Sequence, residues 1–320
     1  MSAALWRRFL VLILASLGLA ACGLRASAPS GDELALTTAR GAQLQGTLVE
    51  LATQRPLAFE AFVKAVAQAQ VVAIGEEHYH PDIQAFELRL LQALVQHRPH
   101  HVALAMEFLE RDMQPAVDAY LAGRSDAALF QAQIKATPEF IQYYFPCIQY
   151  AHQAEVPVVA LNAPRSLARR VTKEGLHAVV QSLPPPDRAY LAATFAPMTP
   201  QYRNYFLQAV ATAHPLPEEQ VERFVEAAYL KDETMAESLA ALQERAADVT
   251  VLAIAGRFHF DYGLAIPTLL RQRLPHVTIR RVTTMAVAAD ETINLRELAQ
   301  ETLADYVWFA PPRPETKTAN

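Results

Sequence analysis

Four short apolar segments recur along this chain, and stretches with helical periodicity separate them. Uninterrupted apolar runs of this length are typical of strands that are buried on both faces of a sheet. Their alternation with helices favours βαβ units, in which neighbouring strands run parallel. The chain is therefore predicted to have an α/β fold, a mainly parallel sheet flanked by helices. The four core segments are VVAI (Val71–Ile74), VALAM (Val102–Met106), VVAL (Val158–Leu161) and VTVLAIA (Val249–Ala255).

The sequence between the third and fourth core segments has a different character. Residues 164–247 show amphipathic helical patterning and no convincing strand, which predicts a large helical insertion beside the sheet edge. Two more strands are expected near the C-terminus, at residues 277–285 and 305–310. A single domain is expected over residues 34–310, followed by a disordered tail at 311–320. The remaining predicted helices lie at residues 57–68, 82–97, 111–121 and 142–154.

The N-terminal residues have the composition of a targeting segment. Two arginines precede an apolar run at residues 9–20, which is short for a membrane span and has the length of a signal-peptide core. The run ends in LAAC, which resembles a bacterial lipobox and predicts lipidation of Cys22 after removal of residues 1–21. Gly23 follows the cysteine, which favours the outer membrane, and residues 22–33 would form a tether. The alternative is an ordinary signal peptide with a chance cysteine.

Composition excludes several classes of protein. Hydrophobic residues make up 52% and charged residues 19% of the chain, which excludes disorder and supplies a core. The formal net charge of −5 lacks the basic excess that nucleic-acid binding requires.

Beyond Cys22, Cys147 is the one remaining cysteine, so an internal disulfide is excluded and a buried thiol is expected. No P-loop, G-x-G-x-x-G or G-x-S-x-G motif is present.

Each core segment ends in polar residues. The first runs into Gly75-Glu76-Glu77-His78, the second into Glu107, the third into Asn162-Ala163-Pro164-Arg165, and the fourth into a stretch that contains His259. Because ligands bind at the carboxyl edge of open parallel sheets, these side chains are expected to converge on one site.

Two of these segments repeat one pattern. VVAIGEEH and LAIAGRFH both read as an apolar strand, a glycine, two residues and a histidine. His78, His259 and Glu107, with Glu76 nearby, would make a three-ligand metal site with an open position, although the residues do not identify the ion. Glu77 would then be the general base for a metal-bound water. The alternative is a polar network that only stabilises the fold.

Further residues are weaker candidates for the same site. Asp232 lies in the helical segment KDETMAES and faces either the site or solvent. Arg165 would bind a carboxylate with two hydrogen bonds or form a structural ion pair, and Asn162 would line the site. Tyr79 and Tyr262 each closely follow a motif histidine, and a phenolate can ligate ferric haem iron.

Together these residues resemble the ChaN family of haem-binding lipoproteins, which shares a superfamily with the Tiki, TraB and erythromycin-esterase-like proteins. The resemblance spans residues 70–285 and includes GEEH, LAMEF, VVALNAPR, KDETMA and AGRFHFDYGLAIPTLL. It implies an α/β sheet with haem held between two protomers, a tyrosine ligand to iron and a histidine near the propionates. The chain departs from the family pattern at Glu77 and Tyr79, where glutamine and aspartate are usual, and at Asp261-Tyr262.

Three functional hypotheses follow. The resemblance implies a haem-binding, lipid-anchored envelope protein that acts in haem or iron uptake or storage, as a homodimer and with an outer-membrane haem receptor as a partner. The alternative is a metal-dependent hydrolase, in which Glu77 or Glu76 and the paired G-x-x-H motifs would activate water. A third possibility is an inert scaffold in the cell envelope.

Overall fold

The computed structural model describes residues 37–213 and 217–314. The predicted signal peptide, the Cys22 lipidation site and the tether lie outside the described residues, as do residues 315–320. Within the part of the chain that the structure describes, none of the helices has the length and apolar character needed to cross a membrane.

An eight-stranded sheet forms the centre of the described chain. Its strand order is β3-β2-β10-β8-β4-β7-β5-β6, and the six strands from β10 to β6 run parallel. The strands are β2 (Leu48–Glu50), β3 (Arg55–Pro56), β4 (Val71–Glu76), β5 (Val102–Glu110), β6 (Val158–Asn162), β7 (Thr250–Gly256), β8 (Ile279–Ala286) and β10 (Tyr306–Ala310). The four core segments of the sequence are the four strands β4, β5, β6 and β7, and the predicted mainly parallel sheet is confirmed.

Helices cover both faces of this sheet, because alternate side chains of each strand point to opposite sides. On β4, Val72 and Ile74 belong to one apolar cluster, whereas Val71 and Ala73 belong to another. The first cluster packs against α2 (Phe59–Val66), α3 (Pro81–His97), α4 (Gln114–Leu121), α5 (Ala127–Gln133), α6 (Pro138–Tyr143) and α7 (Phe145–Gln153).

The predicted helical insertion is present between β6 and β7. It consists of α8 (Arg165–Glu174), α9 (Leu176–Ser182), α10 (Pro185–Arg188), α11 (Pro200–Ala213) and α12 (Glu218–Arg245). Helix α12 packs against α8, α11, strand β6 and α13 (Ile266–Arg273). The last helix of the insertion is therefore in contact with the sheet. The insertion thereby covers the face of the sheet that carries the second apolar cluster.

The strand order makes the two motif strands neighbours. Strand β7 follows the insertion in sequence but lies between β4 and β5 in the sheet. The ladder of β4 and β7 pairs Glu76 with Gly256, so both G-x-x-H segments leave the sheet side by side. The carboxyl ends of β4, β5 and β7 therefore form one continuous edge.

The sequence did not predict the N-terminal elements. Strand β1 (Thr38–Arg40), helix α1 (Gly41–Leu44) and strands β2 and β3 are each two to four residues long, too short for periodicity to reveal. Strand β1 pairs antiparallel with β9 (Thr292–Asn294), which precedes α14 (Leu295–Gln300). These elements enclose a separate small core that includes Leu44, Ile293 and Phe309.

Candidate functional site

Glu107 lies at the centre of the polar cluster at this sheet edge. It is part of β5 and is 8% exposed. Its Oε1 accepts a hydrogen bond from Lys231 Nζ at 2.8 Å, and its Oε2 accepts one from the Gly256 backbone N–H at 2.9 Å. Burial alone would raise the pKa of Glu107, but the charges of His259 and Lys231 outweigh it and hold that pKa well below its usual value. Glu107 is therefore a buried carboxylate anion.

His259 is held between two carboxylates. Its Nε2 lies 3.2 Å from Glu107 Oε1, and its Nδ1 lies 2.5 Å from Asp232 Oδ1. Asp232 also accepts a hydrogen bond from the Tyr202 hydroxyl at 2.6 Å. Burial would lower the pKa of His259, but the charges of Glu107 and Asp232 raise it to about 9. Both ring nitrogens therefore donate, and the side chain is an imidazolium near neutral pH.

His78 lies at the same edge, beside Gly256. Its Nδ1 is hydrogen-bonded to Glu76, whose side chain is fully buried. Burial lowers the pKa of His78, but the hydrogen bond and charge of Glu76 outweigh this and the net shift is upward. The ring lies directly over Gly256: a Cβ added there would come within 2.9 Å of His78 Cε1. Glycine at this position therefore makes room for the imidazole between β4 and β7.

Glu76 accepts hydrogen bonds from a residue of α3 and from the residue between α6 and α7. It accepts hydrogen bonds from the Gln84 side chain and, at 3.3 Å, from the hydroxyl of Tyr144, the residue that follows α6. Burial raises the pKa of Glu76, against the opposing effect of His78. Glu87, on α3, is also fully buried, and neither of its carboxylate oxygens has a hydrogen-bond partner among the described residues. Burial and the neighbouring charge of Glu76 raise the pKa of Glu87 well above its usual value.

The predicted metal site is not formed by this arrangement. His78, Glu107 and His259 do converge, but no group of three or more His, Cys, Asp or Glu side chains in the described residues is placed to hold a metal ion. Glu107 accepts from Lys231 and from the Gly256 backbone N–H, and the two ring nitrogens of His259 face Glu107 and Asp232. The donor atoms of Glu107 and His259 are therefore engaged in ion pairs among the described residues.

Glu77 points toward a different set of partners. Its Oε1 lies 3.4 Å from Arg257 Nη1 and accepts a hydrogen bond from the Ala286 backbone at 3.2 Å. Arg257 in turn contacts Asp261 at 2.9 Å, and the Thr283 hydroxyl donates to Asp261 at 2.6 Å. This separate ion-pair group joins the turn after β7 to β8. The Glu77 carboxylate therefore contacts Arg257 and the backbone of β8, and not His78.

The third strand contributes less directly than predicted. Asn162 is buried and donates from Nδ2 to the backbone oxygen of Glu107 at 3.1 Å, while its Oδ1 has no partner among the described residues. Arg165 instead pairs with Glu110, at 3.1 Å between Nε and Oε1, and 59% of its side chain is exposed. Asn162 therefore positions the end of β5, and Arg165 forms an ion pair at the rim.

The two candidate tyrosines have the same unusual backbone conformation but different surroundings. Tyr79 has φ 60° and Tyr262 has φ 59°, a left-handed region that favours glycine. Tyr79 is 37% exposed, and its ring lies 5.9 Å from that of His78 and 6.0 Å from that of Tyr143. Tyr262 is half-buried against Tyr205, and burial raises its pKa to about 12. Tyr79 is the more accessible of the two.

Several site residues were not predicted from the sequence. Lys231 precedes the predicted Asp232, and Tyr202 belongs to the preceding helix of the insertion. Because residues i and i+1 do not share a helix face, the spacing on α12 gave no reason to choose both Lys231 and Asp232. Both nevertheless reach the site, Lys231 through Glu107 and Asp232 through His259. Gln84 and Glu87 could have been found as polar residues at otherwise apolar positions of α3.

Comparison with known proteins gives a family for this chain. The family described as "Haem-binding uptake, Tiki superfamily, ChaN" matches residues 62–270, which include β4, β5, β6, the insertion and β7. The chain belongs to the ChaN family. The resemblance that the sequence motifs indicated is therefore confirmed, and both G-x-x-H segments lie within the matched residues.

The solved structure of a ChaN protein agrees with this fold. ChaN of Campylobacter jejuni, whose structure shows cofacial haem binding, matches with a TM-score of 0.63 at 19% identity, over 82% of this chain and 95% of that chain. A mutant of the erythromycin esterase EreC in its open conformation matches with a TM-score of 0.48 at 12% identity, over 86% of this chain and 99% of that one.

A curated plant protein is similar in sequence. Protein RETICULATA-RELATED 5, chloroplastic, from Arabidopsis thaliana is 21% identical in an alignment of 268 positions that covers 77% of this chain. The match covers 35% of the plant protein, so the chain spans about a third of that relative's length.

Proposed function

We propose that this protein binds haem at the carboxyl edge of its sheet and acts in haem or iron uptake or storage. The observation that carries the proposal is the position of Tyr79, an exposed phenol held beside His78 at the end of β4. Membership of the ChaN family supports the proposal. The proposal extends the haem binding of the Campylobacter ChaN protein to this chain.

The residues around Tyr79 fit a haem group. The half-buried ring of Tyr143 lies 6.0 Å from the exposed ring of Tyr79, and the ring of Tyr144, 5.7 Å from that of Tyr79, is buried behind them. The exposed parts of Tyr79 and Tyr143 would pack against a porphyrin face. Bound haem would supply ferric iron, for which a phenolate is a known protein ligand. Tyr79 would hold the iron and the half-exposed His78 would lie beside it.

Tyr262 is the less favourable of the two candidates for the haem ligand. Its pKa of about 12 makes the phenolate costly near neutral pH, because burial disfavours the charged form. Its ring also packs against Tyr205, with centroids 5.7 Å apart. We therefore assign the iron ligand to Tyr79.

The proposed setting is the bacterial cell envelope. Lipidation at Cys22 would anchor the protein to the outer membrane, facing the periplasm, and residues 22–33 would separate the domain from the lipid. The rings of Tyr79 and Tyr143 would cover one side of a haem, and a second copy of the chain would cover the other. A homodimer and an outer-membrane haem receptor are therefore part of this proposal.

Haemin titration of the chain that begins at Gly23 tests the proposal. We expect a saturable Soret band and an increase in mass, by size exclusion with light scattering, to that of a dimer. Tyr79→Phe should remove the phenolate charge-transfer bands and weaken binding, whereas Tyr262→Phe, the matched control, should keep both. Absence of a saturable band in the unmodified protein would refute haem binding, and equal spectra for both variants would refute the role of Tyr79.

A second candidate function is hydrolysis, favoured by the Glu76–His78 pair. A buried carboxylate bound to Nδ1 orients an imidazole whose Nε2 faces the shared edge, an arrangement that suits a general base. Glu76 would position His78, which would take a proton from water attacking an ester or amide. His78→Ala should then abolish hydrolysis of any ester that the unmodified protein is found to cleave. Full activity in that variant would exclude this mechanism.

A further inference from the structure

The segment that follows β10 returns to the candidate site. Strand β10 lies beside β8, and β8 lies beside β4, so the chain leaves the sheet at the same edge as Glu76. The Val287 backbone N–H donates to Ala310 O at 2.9 Å, and His80 Nε2 donates to Pro311 O at 2.9 Å. Because His80 is fully buried, it fixes the start of this segment against the loop that carries Tyr79.

Arg313 reaches the turn that contains the motif histidine. Its guanidinium donates a hydrogen bond to the backbone oxygen of His78, the residue that precedes Tyr79. Arg313 itself is exposed. A guanidinium carries five N–H donors, and a carbonyl acceptor neutralises none of its charge. Among the described residues, Arg313 therefore has no carboxylate partner, and its charge lies at the backbone of the residue that precedes Tyr79.

Three other cations at this edge are paired with carboxylates. Lys231 pairs with Glu107 at 2.8 Å, Arg257 with Asp261 at 2.9 Å, and Arg165 with Glu110 at 3.1 Å. An anionic ligand at these cations would compete with a carboxylate already in place, at a cost in desolvation and lost pairing. At Arg313, an anionic ligand would meet a guanidinium whose hydrogen bond among the described residues goes to a neutral backbone oxygen, that of His78.

We infer that Arg313 is a specificity-determining residue that binds a propionate carboxylate of the haem held at Tyr79. This inference rests on the proposed function. Arginine binds carboxylates through paired, charge-assisted hydrogen bonds, which also fix the orientation of the bound group. Arg313 lies outside residues 62–270 that match the family. The C-terminal segment of this chain thereby adds a cation to a site whose other residues come from the matched region.

The test compares haemin with haemin dimethyl ester, which has the same iron and ring but no propionate charge. Both are titrated, in the same detergent, into the chain beginning at Gly23 and its variants Arg313→Ala and Arg313→Lys. Arg55→Ala is the matched control, because Arg55 is exposed on the outer strand β3. We expect Arg313→Ala to weaken haemin binding about three- to tenfold and to leave ester binding unchanged. Arg313→Lys should retain part of the affinity.

Each other outcome has a distinct meaning. Haemin binding by Arg313→Ala that equals that of Arg55→Ala would overturn the inference and leave the proposed function intact. Equal losses for haemin and its ester would show that the segment only supports the fold, and tighter binding would show that it obstructs the site. Either result would overturn the assignment of Arg313. If the unmodified protein gave no saturable Soret band, the proposed function itself would fail.

Discussion

Glu107 and His259 face each other across the ends of adjacent strands, with 3.2 Å between Glu107 Oε1 and His259 Nε2. Glu107 belongs to β5, and His259 lies in the 3₁₀ turn that follows β7. Each has a second partner of opposite charge from α12, Lys231 for the carboxylate and Asp232 for the imidazolium. Two adjacent residues of one helix thus complete a four-charge network that joins the helical insertion to the sheet.

Removal of the Glu107 charge should destabilise the protein strongly. In Glu107→Gln, Lys231 and His259 lose a shared buried counter-charge, and we expect a loss of about 3 kcal/mol or more in the free energy of unfolding. Glu110→Gln is the control, because its partner Arg165 has 59% of its side chain exposed and the loss should be about 1 kcal/mol. Urea unfolding followed by circular dichroism measures both, and losses of similar size would contradict a buried network.

Titration of His259 should make stability fall in mildly alkaline solution. Its pKa is raised from 6.5 to about 9 in the folded protein, so the folded state binds the proton more tightly than the unfolded state. The stabilisation is fully present below pH 6.5 and is lost as pH rises through about 9, by as much as about 3 kcal/mol. His259→Gln should remove this slope. Unfolding free energies of both proteins from pH 6 to 10 test it, and parallel curves would contradict the assignment.

Substitution of Gly256 should displace the His78 ring without removing any polar group. In Gly256→Ala the new methyl group would lie 2.9 Å from His78 Cε1 and 3.6 Å from Glu107 Oε2. We expect a stability loss of about 1–3 kcal/mol and weaker haemin binding. Gly123→Ala is the control: its φ of 66° costs stability, but a methyl group there meets no atom within 4 Å. Unchanged haemin affinity in Gly256→Ala would argue against a role for His78.

Two neighbouring tyrosines of α11 should respond oppositely to loss of the hydroxyl. Tyr202 donates to Asp232 at 2.6 Å, whereas the buried hydroxyl of Tyr205 has no partner among the described residues. Tyr202→Phe should therefore cost about 1.5–3 kcal/mol of unfolding free energy, and Tyr205→Phe should be neutral or stabilising. Thermal unfolding of the pair measures the difference, and an equal loss in both would show that Tyr205 has a hydrogen-bond partner.

The sequence by itself determined the secondary structure of the core and the residues at its strand ends. Uninterrupted apolar runs such as Val71–Ile74 are typical of strands buried on both faces, and their alternation with helices favoured parallel strands. The G-x-x-H repeat and the family motifs then indicated where His78 and His259 leave the sheet. These features are local, because they depend on the spacing of residues within one element.

Tertiary structure alone decided which of these residues become partners. Because β7 lies between β4 and β5 in the sheet, Gly256 comes to lie beneath His78. The packing of α12 against the sheet brings Lys231 to Glu107, 124 positions away in the sequence. Once His259 lies between Glu107 and Asp232, the three side chains form ion pairs rather than a metal site. Local periodicity carries no information on strand order or on the far partner of a buried charge, because both depend on packing of distant segments.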